Sequence, residues 1–373
     1  MIRICLSSRL TLWRAILALL LVGGFYAGYL RQVHGWGNVE YLRNVFPWGL
    51  CGALDVFCGQ ALTAGAFTVA LVLYCLNRPA HRPVLRLSLV AGFVGFLVAI
   101  LAVSVNRPIS VPVALSFWDR HSVAVGMLWS IVLYSVLLVV EFAPDVSRTW
   151  RSRVPARATR FIAIPLMVLA WALANLHQVS LANLLGISGA EFSPLWASPR
   201  LPMLLFLSAV FGCLAVLMFA SFTAQKHFGR ALSPVHLREL GQVMGVVLFL
   251  YLAVRIADYL ERGIGPRLLG FRAENYLLGL ELSLLVLSLM MLTHGGLSNP
   301  RRLNLSAILA IAGLIANRLN TGITAREAVA GVAYHVHWTE MAIAYGILAL
   351  GIATFAVAIT RLPVLTPGRR TAM

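Results

Sequence analysis

The chain has 373 residues, of which 60% are hydrophobic and only 12% charged, with a mean hydropathy of +0.85. That usage excludes an ordinary soluble domain and indicates a polytopic membrane protein. Thirty Lys and Arg face thirteen Asp and Glu. In a soluble chain such a balance would suggest nucleic acid, but here the cations sort by loop, so no nucleic-acid partner is expected.

Near-charge-free stretches follow one another near 12–30, 49–76, 84–105, 121–142, 160–177, 200–224, 240–261, 275–293, 303–317 and 338–361. Most are about 18 to 25 residues, enough to cross a ~30 Å hydrocarbon core; the one near 303–317 is short. The predicted fold is therefore all-α, a polytopic transmembrane bundle of about ten spans (eight to ten) in a single integral membrane domain over residues 1–373. The N-terminal MIRICLSSRLTLWR and the long apolar run after it lack a convincing small-residue cleavage site, and predict a retained signal-anchor helix.

With ten spans, the termini and even-numbered loops carry nineteen Lys and Arg: Arg3 to Arg14, Arg78 to Arg86, Arg148 to Arg160, Lys226 to Arg238, Arg301 with Arg302, and Arg361 to Arg370. The odd-numbered loops carry ten, and Arg255 lies inside a span. The positive-inside rule then puts both termini in the cytoplasm. The same arginines suit anionic lipid headgroups. Cys5, Cys51, Cys58, Cys75 and Cys213 are scattered singly without a C-x-x-C pair, so neither an iron–sulfur nor a zinc site is expected; buried small hydrophobes fit better.

Polar residues at span ends fall unevenly. On the predicted outer side lie Pro47-Trp48-Gly49, FWDRHS (117–122), NLHQVSLANL (175–184), SPLWASPRLP (193–202), Asn317, Arg318 and Asn320, and His335 and His337. Four acids fall inside spans near that side: Asp55, Asp258, Glu281 and Glu340. Ionisable groups in hydrocarbon are costly and face the bundle interior, where they find partners or line a pathway. Asp55 and Glu281 each lie roughly 10 Å in from their span end. With His121 and His177 nearby, the set suits binding and protonation of a small polar headgroup.

Plainer readings stand beside these. Arg255 and Asp258, three apart on one helix, could form an intrahelical pair. Trp48, Trp118, Trp196 and Trp338 could be an interfacial aromatic belt, and His335 and His337 interfacial hydrogen bonders. The histidines of the opposite side, such as His81, His227, His236 and His294, lie in loops, so a two-haem ladder across the membrane is not expected. On a helical wheel Trp48, Gly52, Asp55, Gly59, Thr63, Ala66 and Ala70 share one face and Leu50, Leu54, Phe57 and Val72 lie opposite, which turns Asp55 toward neighbouring helices.

The stretch PWGLCGALDVFCGQALTAGAF (47–67) resembles the hallmark helix of the NrfD/polysulfide-reductase membrane subunits, and more closely their HybB-type branch, found in hydrogenase-2-like complexes. YCLNRPAHRPVLR (74–86), RHSV (120–123), HQVSLANL (177–184) and SPLWASPRLPMLLFLSA (193–209) agree in order and spacing; RIADYLERG, LGLELSLLV and TEMAIAYG agree more loosely. The resemblance implies a multi-pass subunit of the bacterial inner membrane that binds menaquinone or ubiquinone near the outer face, with no haem or iron–sulfur cluster of its own. Its implied partners are a ferredoxin-like iron–sulfur subunit and a hydrogenase or other catalytic subunit, or a multihaem cytochrome.

Carried onto this sequence, the proton-handling positions are Asp55, His121 and His177, with Arg255, Asp258 and Glu281 as looser matches at binding positions; Trp48, Gly59 and Gln178 are further candidate binding positions, and no metal ligands are expected. The site core is expected over roughly 46–293 with extra C-terminal helices over roughly 303–361. Two departures each delete a buried carboxylate: Gly126 stands where the hydrogenase type usually has Glu, and Ser104-Val105-Asn106-Arg107 stands where it has Asp-x-Gly-Arg. Along the inner half Thr63, Ser130, Tyr134, Ser135 and Glu141 remain as proton stepping stones. The competing expectation is a structural anchor that has lost quinone chemistry. A secondary transporter would show inverted repeats and broken helices, and neither is evident in the sequence.

Overall fold

The computed structural model describes residues 2–34, 46, 49–106, 123–149, 156–187, 192–268, 270–293 and 295–367, and of residues 2–11, 106, 123–128, 143–149, 156–160 and 182–187 the backbone alone. Trp48, Trp118, His121, Arg107 and His294 lie outside the described residues, as do the side chain of Asn106 and the surroundings of Gly126.

Lipid offers backbone groups no hydrogen bonds, so apolar runs of this length close their own ladders as helices. They are α1 (Ile2–His34), α2 (Gly49–Leu76), α3 (Arg82–Asn106), α4 (Val123–Thr149), α5 (Ala156–Ile187), α6 (Leu201–Phe228), α7 (Pro234–Glu261), α8 (Ala273–Leu292), α9 (Pro300–Ala330) and α10 (Trp338–Arg361). Among the described residues nine are long and apolar enough to span; the apolar part described for α4 is Trp129–Phe142. The expected short ninth span is in fact a continuous 31-residue helix.

Local chemistry sets the ends. Ser233 and Asn299 cap α7 and α9 ahead of Pro234 and Pro300, whose missing N–H costs nothing in a first turn. Gly229 (φ 66°) ends α6 in the left-handed region that favours glycine. The described β-structure is one short pair, Arg230–Ala231 with Thr366–Pro367, which ties the chain after α10 to the α6–α7 turn.

Consecutive helices alternate direction and pack in two groups, α2–α5 and α6–α9, joined through α2 and α6. The joint is close because it is built from small residues: a Cβ on Gly65 would lie 2.0 Å from the Ala209 carbonyl oxygen of α6. Gly59 meets the Gly95 backbone of α3 in the same way, and Gly24 of α1 meets Gly346 of α10. The α1–α10 pair lies against α3. Apolar side chains such as Phe25, Val139, Phe161 and Leu260 cover the outside, as a lipid-facing surface requires.

Two helices contain a π-turn, Gly52–Val56 in α2 and Asn320–Thr324 in α9. Each inserts one residue per turn and rotates everything beyond it, so a 100° wheel does not run through residue 52 to residue 57 unbroken. Phe57, expected opposite the small-residue stripe, is accordingly buried. Asp55, Gly59, Thr63, Ala66 and Ala70 are buried as the stripe predicts, and Val72 is exposed. The two π-turns touch where a Cβ on Gly322 would come 2.9 Å from the Ala53 side chain.

Candidate functional site

Asp55, Asp258, Glu281 and Glu340 lie at one end of the bundle, because the alternating helices bring the start of α2, α8 and α10 beside the ends of α7 and α9. Their surroundings separate them into three that are satisfied and one that is not.

Glu281 is fully buried in α8, and donors from three other elements converge on it. Asn317 donates to Oε1 at 2.8 Å, Asn320 and Trp196 donate to Oε2 at 2.9 and 3.3 Å, and the Arg255 guanidinium stands 4.0 Å away. Arg255 donates to Tyr259 Oη (2.8 Å) and to the Leu195 carbonyl (3.3 Å), to which Tyr259 also donates. Arg318 donates to Asn317 Oδ1 and to Ser208 Oγ of α6. This network crosses four helices, sets the Arg255 charge against that of Glu281 and gives Arg318 neutral acceptors, as a low-dielectric interior demands.

Arg255 and Asp258 do not form the intrahelical pair that their spacing allows. Asp258 instead accepts from Arg262, one turn further on, at 2.5 Å and from Ser198 at 2.6 Å. Arg262 donates in turn to the carbonyls of Pro194 and Ala197. Asp258 thus fastens the 192–200 segment across the end of the bundle, where Ser193 also donates to Glu274 at 2.6 Å. That segment sends Trp196 inward to Glu281, fully buried, so Trp196 is no part of an interfacial belt. Trp338, half exposed, keeps the belt position.

Glu340, at the first turn of α10, accepts from the Leu50 N–H and the Tyr334 hydroxyl, and so anchors the beginning of α2. Burial, and then the bond to Glu340, hold the Tyr334 hydroxyl well above the ordinary phenol range, which keeps it a donor.

Asp55 differs from these three. It is 1% exposed, and neither carboxylate oxygen has a hydrogen-bond partner among the described residues. It sits inside the α2 π-turn, a device that recurs at functional sites because it re-aims one side chain without breaking the helix. One turn on, the Cys58 side chain lies in the electrostatic field of both Asp55 and Arg318, whose Nε is itself buried with no hydrogen-bond partner among the described residues.

Further unsatisfied polar groups occupy nearly the same depth. Among the described residues Gln60 has neither amide atom paired, and Gln178 Nε2 and His177 Nδ1 on α5 have no partner either. The Gly59–Gly95 contact sets Phe96 level with Gly59 and Gln60, and His177 stacks on Phe96 with ring centroids 5.9 Å apart. At 1.5 Å per residue these groups lie within about 10 Å of Asp55 along the bundle axis. Native interiors leave few such groups unpaired, so a cluster of them at one level calls for a polar ligand or water. Gly59 itself is taken up by helix contact with α3.

The candidate proton stepping stones are mostly tied to their own helices. Thr63 donates to Gly59 O, with Gly92 O also in range, and Ser135 donates to Ile131 O. Tyr134 lies between Phe67 and Phe96, and Glu141 pairs with Arg86 at 3.3 Å. At the second departure, Ser104 donates to Ile100 O.

Sequence reasoning singled out Asn317, Arg318 and Asn320 as unusual polar residues at a span end, and α9, outside the expected core of roughly 46–293, delivers all three to the network. Ser208 and Tyr251 carried no signal; a serine and a tyrosine in apolar runs are ordinary until their partners are known.

The sequence is also similar to known proteins. The chain is 26% identical over 348 residues to the "Probable Ni/Fe-hydrogenase 2 b-type cytochrome subunit" of Escherichia coli (strain K12), covering 90% of this chain and 88% of that one. It is 27% identical over 269 residues to the "Menaquinone reductase, integral membrane subunit" of Nitratidesulfovibrio vulgaris, covering 68% and 63%, and 25% identical over 386 residues to a further protein of that organism, covering 96% of each. Residues 38–330, from just before α2 through the end of α9, match the family described as polysulphide reductase, NrfD, and the chain is an integral membrane protein of that family.

Proposed function

We propose that this protein supplies the quinone site of a respiratory oxidoreductase in a bacterial inner membrane, with both termini cytoplasmic. Electrons pass between an iron–sulfur partner at the outer face and menaquinone or ubiquinone. The observation that carries this reading is Asp55, a buried carboxylate with no partner of its own among the described residues, in a layer with Gln60, His177 and Gln178. The names of the relatives, a menaquinone reductase subunit and a probable hydrogenase b-type cytochrome subunit, support it.

A quinone takes up two electrons and two protons, and its headgroup presents two carbonyl oxygens that need donors. The unpaired groups fit that demand: His177 and the amides of Gln60 and Gln178 donate, and Asp55 donates when protonated and accepts when ionised. Asp55 holds the exchangeable proton; the family resemblance adds His121 and Trp48, which lie outside the described residues. The Arg255–Glu281–Asn317–Asn320 network and the Asp258 clamp hold the walls, their own charges being spent on each other. The electrons belong to the partner subunits, a ferredoxin-like chain and a hydrogenase, other catalytic subunit or multihaem cytochrome.

The test is Asp55→Asn in the assembled complex. Positioned proton transfer contributes about 10²- to 10⁴-fold, so quinone-linked turnover falls by at least ~10² while retained quinone stays comparable. An unchanged rate removes Asp55 from the chemistry. The second reading, a docking anchor without quinone chemistry, is motivated by the lost carboxylates at Gly126 and Ser104. It predicts no inhibitor-displaceable quinone in lipid extracts of the purified complex.

A further inference from the structure

At the end of the bundle away from the buried acids, three residues that the quinone reading does not use come together: His81 in the short turn between α2 and α3, and His236 and Glu239 on the first turns of α7. One ligand atom from each lies within 4.8 Å of the others. We propose that His81, His236 and Glu239 form a binding site for a borderline divalent transition-metal ion of the Zn²⁺ class, clamping the α2–α3 turn to α7. This proposal stands apart from the quinone site and does not rest on it.

The geometry suits an ion of that kind. His236 and Glu239 are three apart on one helix, so they project from one face, and His81 closes the third side from another element. The His81 Nε2–Glu239 Oε2 separation is 3.2 Å. Two ligands on a tetrahedral ion with bonds of ~2.0–2.1 Å lie about 3.4 Å apart, so one edge of the polyhedron already exists. The rings of His81 and His236 are 5.4 Å apart between centroids at 57°, near enough for a small rotation to bring their nitrogens to the same point.

Satisfaction of the surrounding atoms points the same way. His81 Nδ1 is buried without a hydrogen-bond partner among the described residues, so only the Glu239 carboxylate competes with an ion for that ring. His236 Nδ1 lies 2.9 Å from Ser233 Oγ, the α7 cap, which also accepts from the His236 N–H. A ligating histidine commonly has its second nitrogen held in this manner, which fixes ring and tautomer. The Ala80 backbone carbonyl also accepts from the His236 ring, a bond that a bound ion would have to replace, and Glu239 and His81 are the other groups facing that ring. The side chains of His81 and Glu239 are 18% and 46% exposed, which leaves an ion a path from water.

Donor chemistry selects the metal. Two imidazoles with a single carboxylate favour Zn²⁺, Cu²⁺ or Ni²⁺ over Mg²⁺ or Ca²⁺, which want several oxygens. Water fills the fourth position, as in three-ligand zinc sites. Helices from both halves of the bundle are then joined through one ion.

The test uses the full chain, purified in detergent, stripped with a chelator and titrated with Zn²⁺ against a chromophoric competitor. The unsubstituted chain is expected to take up one equivalent more than His236→Ala and Glu239→Gln, or to bind at least ~10-fold tighter than either, with Ser233→Ala weakened by a similar ~10-fold. Co²⁺ in place of Zn²⁺ gives the intense visible bands of a tetrahedral site, absent from the variants. Monodisperse elution and unchanged melting of the metal-free variants exclude misfolding, and both substitutions lie at the partly exposed edge of the bundle. Equal uptake by unsubstituted chain and variants, or no uptake by either, overturns the proposal.

Discussion

The Glu281 network yields the sharpest prediction. In Glu281→Gln the side chain keeps its shape and one acceptor oxygen, but the new amide turns an N–H₂ toward donors. Depending on its orientation, it faces either Asn317 at 2.8 Å or both Asn320 and Trp196 at 2.9 and 3.3 Å. The guanidinium of Arg255, 2% exposed, loses its counter-charge at 4.0 Å. At an effective dielectric near 20 that separation corresponds to ~4 kcal/mol. Removing one partner of a buried pair generally costs ~3–5 kcal/mol, since the survivor remains desolvated. The two routes agree, so the expected loss is ~3–5 kcal/mol in unfolding free energy, measured by SDS titration of the purified protein in mixed micelles. Arg255→Gln combined with Glu281→Gln removes both charges, and is expected to cost at least ~1 kcal/mol less than the sum of the single changes. A cost below ~1 kcal/mol for Glu281→Gln, or strict additivity, refutes the reasoning.

Two further outcomes rest on other close contacts. Gly65→Val places a Cβ 2.0 Å from the Ala209 carbonyl where ordinary contact begins near 3.4 Å, so α2 and α6 must separate by over ~1 Å; overpacking of this kind costs at least ~1–3 kcal/mol in the same titration, and an unshifted midpoint contradicts the close approach. Tyr334→Phe leaves Glu340 with the Leu50 N–H alone and is expected to cost about 1–2 kcal/mol, with Glu340→Gln costing more because the start of α2 then loses a carboxylate at its positive end. Equal effects of the two would show that the charge is irrelevant.

The distribution of satisfied and unsatisfied groups has a functional logic. Glu281, Asp258 and Glu340 spend their charge on arginine, amide and backbone donors, which makes them parts of the frame. A frame held by charged networks is rigid, and rigidity is what lets one carboxylate stand at depth with no partner among the described residues without the helices closing around it. Asp55 sits in the π-turn of α2, braced by the second π-turn in α9 through Ala53 and Gly322. Either turn alone would be a local oddity; pressed together they hold α2 against α9 beside Asp55.

Composition and hydropathy alone determined that the chain is a helical membrane protein, roughly how many times it runs across, and that its buried acids gather at one end. These conclusions hold because lipid permits few backbone solutions and because ionisable residues in apolar runs stand out one by one. The stripe of small residues also declared the inward face of α2 correctly from Asp55 to Ala70. Partnership was decided only by the tertiary structure. Spacing suggested Arg255 with Asp258, yet packing of α7 against α8 gave Arg255 to Glu281, and the 192–200 segment gave Asp258 to Ser198 and Arg262. Trp196 read as an interfacial residue until that segment folded it inward, and the π-turns left no trace in a 3.6-residue pattern. A charge announces itself in one dimension, but whether it is paired depends on helices distant in sequence, and it is that difference which sets Asp55 apart from the other three acids.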